Sequence, residues 1–137
     1  MNDYASIYLR NQYEVDLTPT QTFIFSLIDL RTHTLFQNSF AIITAHNPQN
    51  MILSHRENAL RNQLLYSELY KDYKVLKAVG CLEEHCEAGY LVYDIEYKEA
   101  LRVGLKYKQY AIFYCDTKSL RYVACQSEEV IVLRDLK

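Results

Sequence analysis

The sequence predicts a single α+β domain in which a mostly antiparallel sheet packs against two to three helices, in the order α-β-β-α-β-β-α-β-β. Three observations predict this class. The 137 residues fit one domain, and the hydrophobic fraction of 50% and charged fraction of 23% are those of a globular protein. Pairs of strand-like runs also separate the helical patterns. Because no linker or repeat interrupts the chain, we expect residues 1–137 to form one domain.

The first predicted elements are a helix and two strands. The polar, tyrosine-rich start predicts a short helix over residues 3–13. Residues 21–30 and 39–45 predict strands that are apolar on both faces, which is typical of strands inside a sheet covered by helices. A polar break at residues 31–34 separates these two strands.

A long helix is predicted next, from Ser54 to about Asp72. Ser54 followed three residues later by Glu57 is the pattern of a capping box, in which each residue bonds the backbone of the other. Leucines at helical spacing predict its buried stripe: Leu60, Leu64, Leu65 and Leu69. Three polar residues are expected to border that stripe: Asn58, Arg61 and Asn62.

The second half of the chain predicts five strands and one helix. The predicted strands are residues 74–80, 89–95, 109–115, 120–125 and 130–133. Residues 81–88 are predicted to form an acidic loop, and residues 116–119 a turn closed by Asp116. A helix over residues 97–107 should bury an apolar face of Ala100, Leu101, Gly104 and Leu105. We expect Gly104 to permit close contact between that helix and the sheet.

The composition argues against several classes of function. The net charge is −2 and the pI is about 6.1, so nucleic-acid binding is not expected. Three glycines are too few for glycine-rich phosphate loops. No apolar run approaches the ~20 residues of a membrane span, and the N-terminus has no signal-peptide pattern. We therefore expect a soluble, cytoplasmic protein with reduced cysteines and without a cofactor.

The most distinctive segment is the turn His46-Asn47-Pro48, where a buried strand leads into the capped helix. Pro48 should hold Asn47 in extended geometry. Polar side chains at the end of a rigid strand are a common way to build a site. One interpretation is therefore functional, and the alternative is that Asn47 only satisfies the backbone of the turn.

Three hypotheses of function follow from this segment. The first is a regulatory or binding module for a small polar or anionic ligand, with five side chains as its hydrogen-bonding set: Asn47, Asn58, Arg61, Asn62 and Gln109. A solvated Arg61 that pairs with Glu57 or Glu68 is the alternative for that position. The second hypothesis is an enzyme with His46 or Glu87 as acid or base beside Asn47 and Arg61. The third is a protein-interaction domain or homo-oligomer that uses a tyrosine-rich surface or a sheet edge.

Two other clusters favour ordinary structural roles. Cys81, His85 and Cys86 lie close together, but one cluster without a second Cys/His pair does not predict a zinc site. Residues 106–110 are basic and aromatic, and they lie at the end of the helix predicted over residues 97–107. Lysines there are typical of compensation of the helix dipole rather than of a nucleic-acid contact. No metal is therefore expected.

Several of these motifs resemble, in order, the bacterial domain of unknown function 3293. The match rests on Thr44-Ala45 followed by Asn47-Pro48, on Glu57-Asn58 and Arg61-Asn62, and on the run Gln109-Tyr110-Ala111-Ile112. It spans about residues 20–115, and His46 stands where the family usually has Trp. The resemblance implies a small bacterial cytoplasmic protein whose Asn47, Asn58 and Gln109 share a neighbourhood. It implies no activity.

Overall fold

The computed structural model describes residues 12–26, 34–48, 51–82 and 85–135. Within these ranges, eight strands form one sheet: β1 (Gln12–Thr18), β2 (Gln21–Ser26), β3 (Phe40–Ile43), β4 (Val75–Leu82), β5 (His85–Tyr93), β6 (Ala111–Cys115), β7 (Ser119–Ala124) and β8 (Val130–Asp135). The helices are α1 (His55–Leu69), α2 (Tyr97–Lys106) and a short 3-10 helix (Thr34–Gln37).

The strand order in the sheet is β2-β1-β4-β5-β3-β6-β7-β8. Every neighbouring pair is antiparallel. The predicted α+β class with a mostly antiparallel sheet is therefore confirmed. The short strand β3 lies between β5 and β6, as its apolar character on both faces predicts. The same pattern predicted an inner position for β2, but β2 stands at the end of the described strand order.

Each face of the sheet carries its own core. The helix-side core joins both helices to the sheet and includes Ala41, Ile43, Leu65, Leu69, Val92, Leu101, Ile112 and Val123. The aromatic-side core lies on the other face and includes Tyr13, Phe25, Phe36, Phe40, Leu91 and Phe113. Since alternate residues of β3 belong to different cores, this strand connects the two layers.

The predicted N-terminal helix is wrong for the part of it that the structure describes. Residues 12 and 13 lie in β1, where Tyr13 and Val15 are buried. Alternate burial is the pattern of a strand, and pairing with both β2 and β4 favours it over a marginal helix. The remainder of that predicted helix, residues 3–11, lies outside the described residues.

The predicted acidic loop at residues 81–88 is wrong as well. Strand β4 continues to Leu82 and β5 begins at His85, so residues 81–82 and 85–88 belong to two paired antiparallel strands. Cys81 lies directly opposite Cys86 in the ladder, and a disulfide joins them, contrary to the expected reduced thiols. Cys115 and Cys125 are free and buried, and burial raises the pKa of each thiol to about 11.

Helix α1 buries half of the predicted leucine stripe. Leu65 and Leu69 are buried, but Leu60 is 53% exposed and Leu64 is 63% exposed. The side chains that complete the inward face are polar: Asn58 is 4% exposed and Asn62 is 7% exposed. The helix is therefore rotated about its axis so that its first two turns present amides to the sheet, and it ends at Leu69 rather than near residue 72.

Helix α2 follows its prediction closely. It buries Ala100, Leu101 and Gly104, but Val103 is buried in place of the expected Leu105. A Cβ atom at Gly104 would lie 2.7 Å from Cys125 Sγ and 2.9 Å from Ile112 Cγ2. The predicted close contact between this helix and the sheet is therefore confirmed. Among the described helices, none combines the length and the apolar content that a membrane crossing requires.

We expect Gly104→Ala to lower the free energy of unfolding by about 1–3 kcal/mol, because the added methyl group overpacks the contact of α2 with β6. Urea denaturation measures the change. Lys98→Ala, at an exposed position of the same helix, is the control and should change stability by less than about 0.5 kcal/mol. A gain of about 1 kcal/mol in Gly104→Ala, as helix propensity alone would give, would contradict the tight contact.

Candidate functional site

The capping box fixes where α1 begins. Ser54 Oγ accepts a hydrogen bond from the backbone N–H of Glu57 at 3.1 Å, and the Ser54 N–H donates to Glu57 Oε1 at 3.4 Å. The predicted capping box is therefore confirmed. Because Asn58 directly follows Glu57, this cap sets the position of the first inward-facing side chain of the helix.

Asn47 and Asn58 bind each other reciprocally. The Asn47 N–H donates to Asn58 Oδ1 at 2.8 Å, and Asn58 Nδ2 donates to Asn47 Oδ1 at 2.9 Å. Asn47 Oδ1 also accepts from the Leu53 N–H at 3.0 Å. Asn47 has a φ of 44°, in the left-handed region rather than the extended geometry predicted from Pro48. Asn tolerates that region better than most residues, and the paired hydrogen bonds offset its cost.

Asn62 connects the end of β3 to β5. Its Oδ1 accepts from the Ala45 N–H at 2.9 Å, and its Nδ2 donates to the Ala88 carbonyl at 2.9 Å. Thr44 Oγ1 donates to the same carbonyl at 2.6 Å and accepts from the His46 N–H at 3.0 Å. Side chains thus replace the strand partner that the backbone loses where β3 ends.

Arg61 and Gln109 extend these contacts to the end of α2. Arg61 Nε donates to the Ala45 carbonyl at 2.7 Å, and its Nη2 donates to the Tyr107 carbonyl at 2.5 Å. Gln109 Nε2 donates to the same Tyr107 carbonyl at 3.3 Å and to the His46 carbonyl at 3.2 Å. The strand end, α1 and the end of α2 are therefore joined by one hydrogen-bonded set.

We call this set the junction network: Asn47, Asn58, Arg61, Asn62 and Gln109. The five side chains predicted from the sequence as a hydrogen-bonding set lie close together in the structure. Both amide atoms of Asn58 and of Asn62 bind the protein itself, so these two position the junction. Gln109 Oε1 has no hydrogen-bond partner among the described residues. The network therefore has a structural interior and one uncommitted acceptor at its outer edge.

Arg61 does not form the pairs that the alternative interpretation proposed. Glu57 binds Ser54, and Glu68 binds Arg102 and Lys106. Among the ion pairs of the described residues, none includes Arg61. Among the described residues, the groups that offset its charge are the carbonyl dipoles of Ala45 and Tyr107.

His46 lies beside the network, and its ring contacts Asn58. Asn58 Nδ2 is 3.4 Å from His46 Nε2. Burial lowers the pKa of His46, and the neighbouring His85 and His55 lower it further. A neutral imidazole at neutral pH is a hydrogen-bond acceptor as well as a donor, so His46 keeps the chemistry of a general base.

Glu87 is not part of the network. It lines a cavity with Tyr13 and Phe113, members of the aromatic-side core on the opposite face of the sheet from α1. The hypothesis that places Glu87 beside Asn47 and Arg61 is therefore wrong in its geometry, since strand alternation turns its side chain away from the helices. Within the described ranges, no group of three or more His, Cys, Asp or Glu side chains is arranged to hold a metal ion.

A groove that sequence reasoning missed lies against the outer edge of the network. Its volume is about 420 Å³, and it is lined by Leu105, Lys108, Gln109, Tyr110, Ala124, Gln126 and Ser127. The basic and aromatic stretch at residues 106–110 was its signal in the sequence. Lys106 binds Glu68, but Lys108, Gln109 and Tyr110 line the groove. Gln109 therefore belongs to both the network and the groove.

Comparison with known proteins gives one match. Residues 43–112, just over half of the chain, match the family model described as Protein of unknown function (DUF3293). That range begins in β3 and ends in β6, so it contains the whole junction network. No curated protein and no solved structure matches the chain significantly.

Asn58→Ala should lower the free energy of unfolding by about 2–4 kcal/mol, because it leaves the Asn47 N–H buried without its acceptor. Asn58→Asp should also destabilise at neutral pH, since it keeps the shape but places a carboxylate oxygen against Asn47 Oδ1. Chemical denaturation measures both changes. Gln63→Ala, on the exposed side of α1, is the matched control. Equal, small effects at all three variants would show that the buried amides contribute nothing to stability.

Proposed function

The chain belongs to the DUF3293 family of proteins of unknown function, whose description names no activity, and from the geometry of its own residues we propose that it is a binding module for a small organic anion. The ligand occupies the groove beside the strand-to-helix junction. The observation that carries the proposal is that Gln109, fixed by the junction network, forms part of the groove wall.

The size and lining of the groove suit a small ligand. A volume of about 420 Å³ falls within the range of small-molecule sites. Leu105 and Tyr110 are both partly exposed and supply apolar surface. Gln109, Gln126 and Ser127 supply polar groups around it. A ligand with a planar or apolar body and one polar end matches this combination.

The charged residues in and behind the groove favour a ligand whose polar end is negative. Lys108 is the charged residue of the groove lining, and no acidic side chain of the described residues lines it. Behind the wall, Arg61 carries a charge without an ion-pair partner among the described residues. A carboxylate or phosphate in the groove would bind Lys108 directly and would be attracted by Arg61 at longer range.

In this proposal the five residues of the junction network have different roles. Asn47, Asn58 and Asn62 hold the junction, because their hydrogen bonds go to the backbone and to each other. Gln109 presents its Oε1 atom to the groove, and Arg61 supplies positive charge. A rigid wall lowers the entropic cost of binding, since the contacting side chain is already ordered.

Titration with benzoate and phenyl phosphate tests the proposal, with benzamide and phenol as neutral controls. Amide signals of residues 105–110 and 124–127 should shift and saturate with the anions in ¹H-¹⁵N spectra. Lys108→Gln should weaken binding about five-fold, because a partly exposed ion pair contributes about 1 kcal/mol. Lys98→Gln, an exposed lysine of α2 outside the groove lining, should leave the affinity unchanged.

Two results would contradict the anion assignment. Benzamide could bind as tightly as benzoate, or Lys108→Gln and Lys98→Gln could have equal effects. Conversion of a probe during the titration, seen as new product signals that disappear in His46→Gln, would favour an enzyme with His46 as base over a binding module.

A further inference from the structure

A second cavity lies on the opposite face of the sheet, and the proposed function does not use it. We call it the aromatic-side cavity; its lining is Tyr13, Ile42, Thr44, Ala78, Gly80, Glu87, Gly89, Ala111 and Phe113. Its volume is about 60 Å³. About 10–15 Å³ of such volume holds one water molecule, so the cavity holds a group of about four to six non-hydrogen atoms.

Two glycines line this cavity where larger residues would crowd it. A Cβ atom at Gly89 would lie 2.7 Å from the Ile43 carbonyl oxygen and 2.9 Å from Thr44 Cβ. At Gly80, a Cβ atom would lie 3.2 Å from the Tyr13 ring. The close approach of β3 to β5 and of Tyr13 to β4 therefore depends on these positions, and it brings an aromatic ring to the cavity wall.

Two aromatic rings and one carboxylate determine the chemistry of the cavity. The rings of Tyr13 and Phe113 are 5.2 Å apart, tilted by 46°. The hydroxyl group of Thr44 is engaged with Ala88 and His46. Glu87 is the one acidic side chain of the lining, and its ion-pair partner is His85, whose Nε2 atom is 3.9 Å from Glu87 Oε1.

Among the ion pairs of the described residues, the one partner of Glu87 is His85, which is charged only when protonated, and the Glu87 side chain is 39% exposed. Burial raises the pKa of Glu87, and the weaker influence of His85 does not offset this increase. The titratable groups near it in the cavity region are His85 of β5 and the Tyr13 phenol of β1. A desolvated carboxylate is stabilised by an ammonium group, and aromatic faces attract the same cation.

We propose that the aromatic-side cavity binds the head group of a primary alkylammonium ion, with Glu87 as its carboxylate partner and the rings of Tyr13 and Phe113 as its walls. The volume fits an ammonium nitrogen with its first methylene group. A primary ammonium donates hydrogen bonds to the carboxylate, which a trimethylammonium head cannot do. The site lies on the other face of the sheet from the junction network, so it is independent of the anion-binding groove.

Titration with n-butylammonium chloride tests this site. n-Butanol is the uncharged control of similar shape, and tetramethylammonium chloride is the control cation without N–H groups. Butylammonium should shift the amide signals of Gly80, Glu87 and Gly89 to saturation. Glu87→Gln keeps the shape of the side chain and should weaken binding about five-fold, since a partly exposed charge pair contributes about 1 kcal/mol. Glu14→Gln, on β1 but outside the cavity lining, should leave binding unchanged.

The pKa of Glu87 supplies a second readout that needs no variant. Bound butylammonium favours the carboxylate, so the pKa of Glu87, followed through its ¹³Cδ signal, should fall as the probe is added. By the same linkage, affinity should decrease as pH falls through that pKa. The titration is repeated in His85→Gln, because the His85 ring lies beside the same carboxylate.

Each outcome decides the proposal. Loss of binding in Glu87→Gln together with a lowered Glu87 pKa supports it. Binding of n-butanol with equal affinity, unchanged binding in Glu87→Gln, or a Glu87 pKa that does not respond to butylammonium would overturn it. Tighter binding of tetramethylammonium than of butylammonium would overturn the assignment to a primary amine.

Discussion

The hydrogen bonds between Asn47, Asn58 and Asn62 and the end of β3 are the interaction on which the rest of this structure depends. Strand pairing ends at Ile42 toward β6 and at Ile43 toward β5, yet Ala45 and Asn47 remain buried. Their N–H groups would each cost about 1–3 kcal/mol if left without acceptors. Two side-chain amides of α1 accept these hydrogen bonds. The junction can therefore leave the sheet inside the protein rather than at its surface.

That requirement explains the orientation of α1 and the position of the groove. A helix that presents Asn58 and Asn62 to the sheet must turn Leu60 and Leu64 toward solvent, because those residues occupy its opposite side. The same orientation brings Arg61 to the carbonyl groups of Ala45 and Tyr107. Gln109 then bridges the end of α2 to the turn. One wall of the groove is thus fixed by the contacts that hold the strand end.

Much of this fold could be predicted from the sequence where local rules operate. The capping box at Ser54, the buried strand β3 and the turn at Asp116, whose Oδ1 accepts from the Ser119 N–H at 2.8 Å, each depend on neighbouring residues. The convergence of Asn47, Asn58 and Gln109 was also expected, but from the family resemblance. Periodicity alone could not have placed Gln109 near a turn that is 62 residues away by chain number.

The errors arose where tertiary contacts overrule local patterns. Leucine spacing correctly placed Leu65 and Leu69 on the inward face of α1 but also placed Leu60 and Leu64 there, because hydrophobicity alone does not count the unpaired backbone groups that the amides satisfy. Residues 81–88 contain acidic and polar side chains typical of a loop, yet residues 81–82 and 85–88 lie in two paired strands that the Cys81–Cys86 disulfide joins. Pro48 predicted extended geometry for Asn47, but two hydrogen bonds to Asn58 hold it at positive φ.

The two faces of the sheet present different chemistry as a result. On the helix side, the polar side chains of α1 bind the junction, and a groove with Lys108 as its charged lining residue lies at the edge of the network. On the aromatic side, one carboxylate lies among rings and glycines. Both features depend on the path of β3 and its continuation, since Thr44 contributes to the aromatic-side cavity and His46 contacts Gln109.

Amide hydrogen exchange of the wild-type protein and of Asn58→Ala tests most directly whether side-chain amides replace the missing strand at this junction. The account predicts slow exchange of the Ala45 and Asn47 N–H groups in the wild type. In Asn58→Ala, the exchange of the Asn47 and Leu53 N–H groups should accelerate well beyond any change at the β3 ladder amides. Asn58 Oδ1 accepts from the Asn47 N–H, and Asn58 Nδ2 holds Asn47 Oδ1, which accepts from the Leu53 N–H. Fast exchange of Asn47 in the wild type, or an acceleration no larger than that of the ladder, would contradict it.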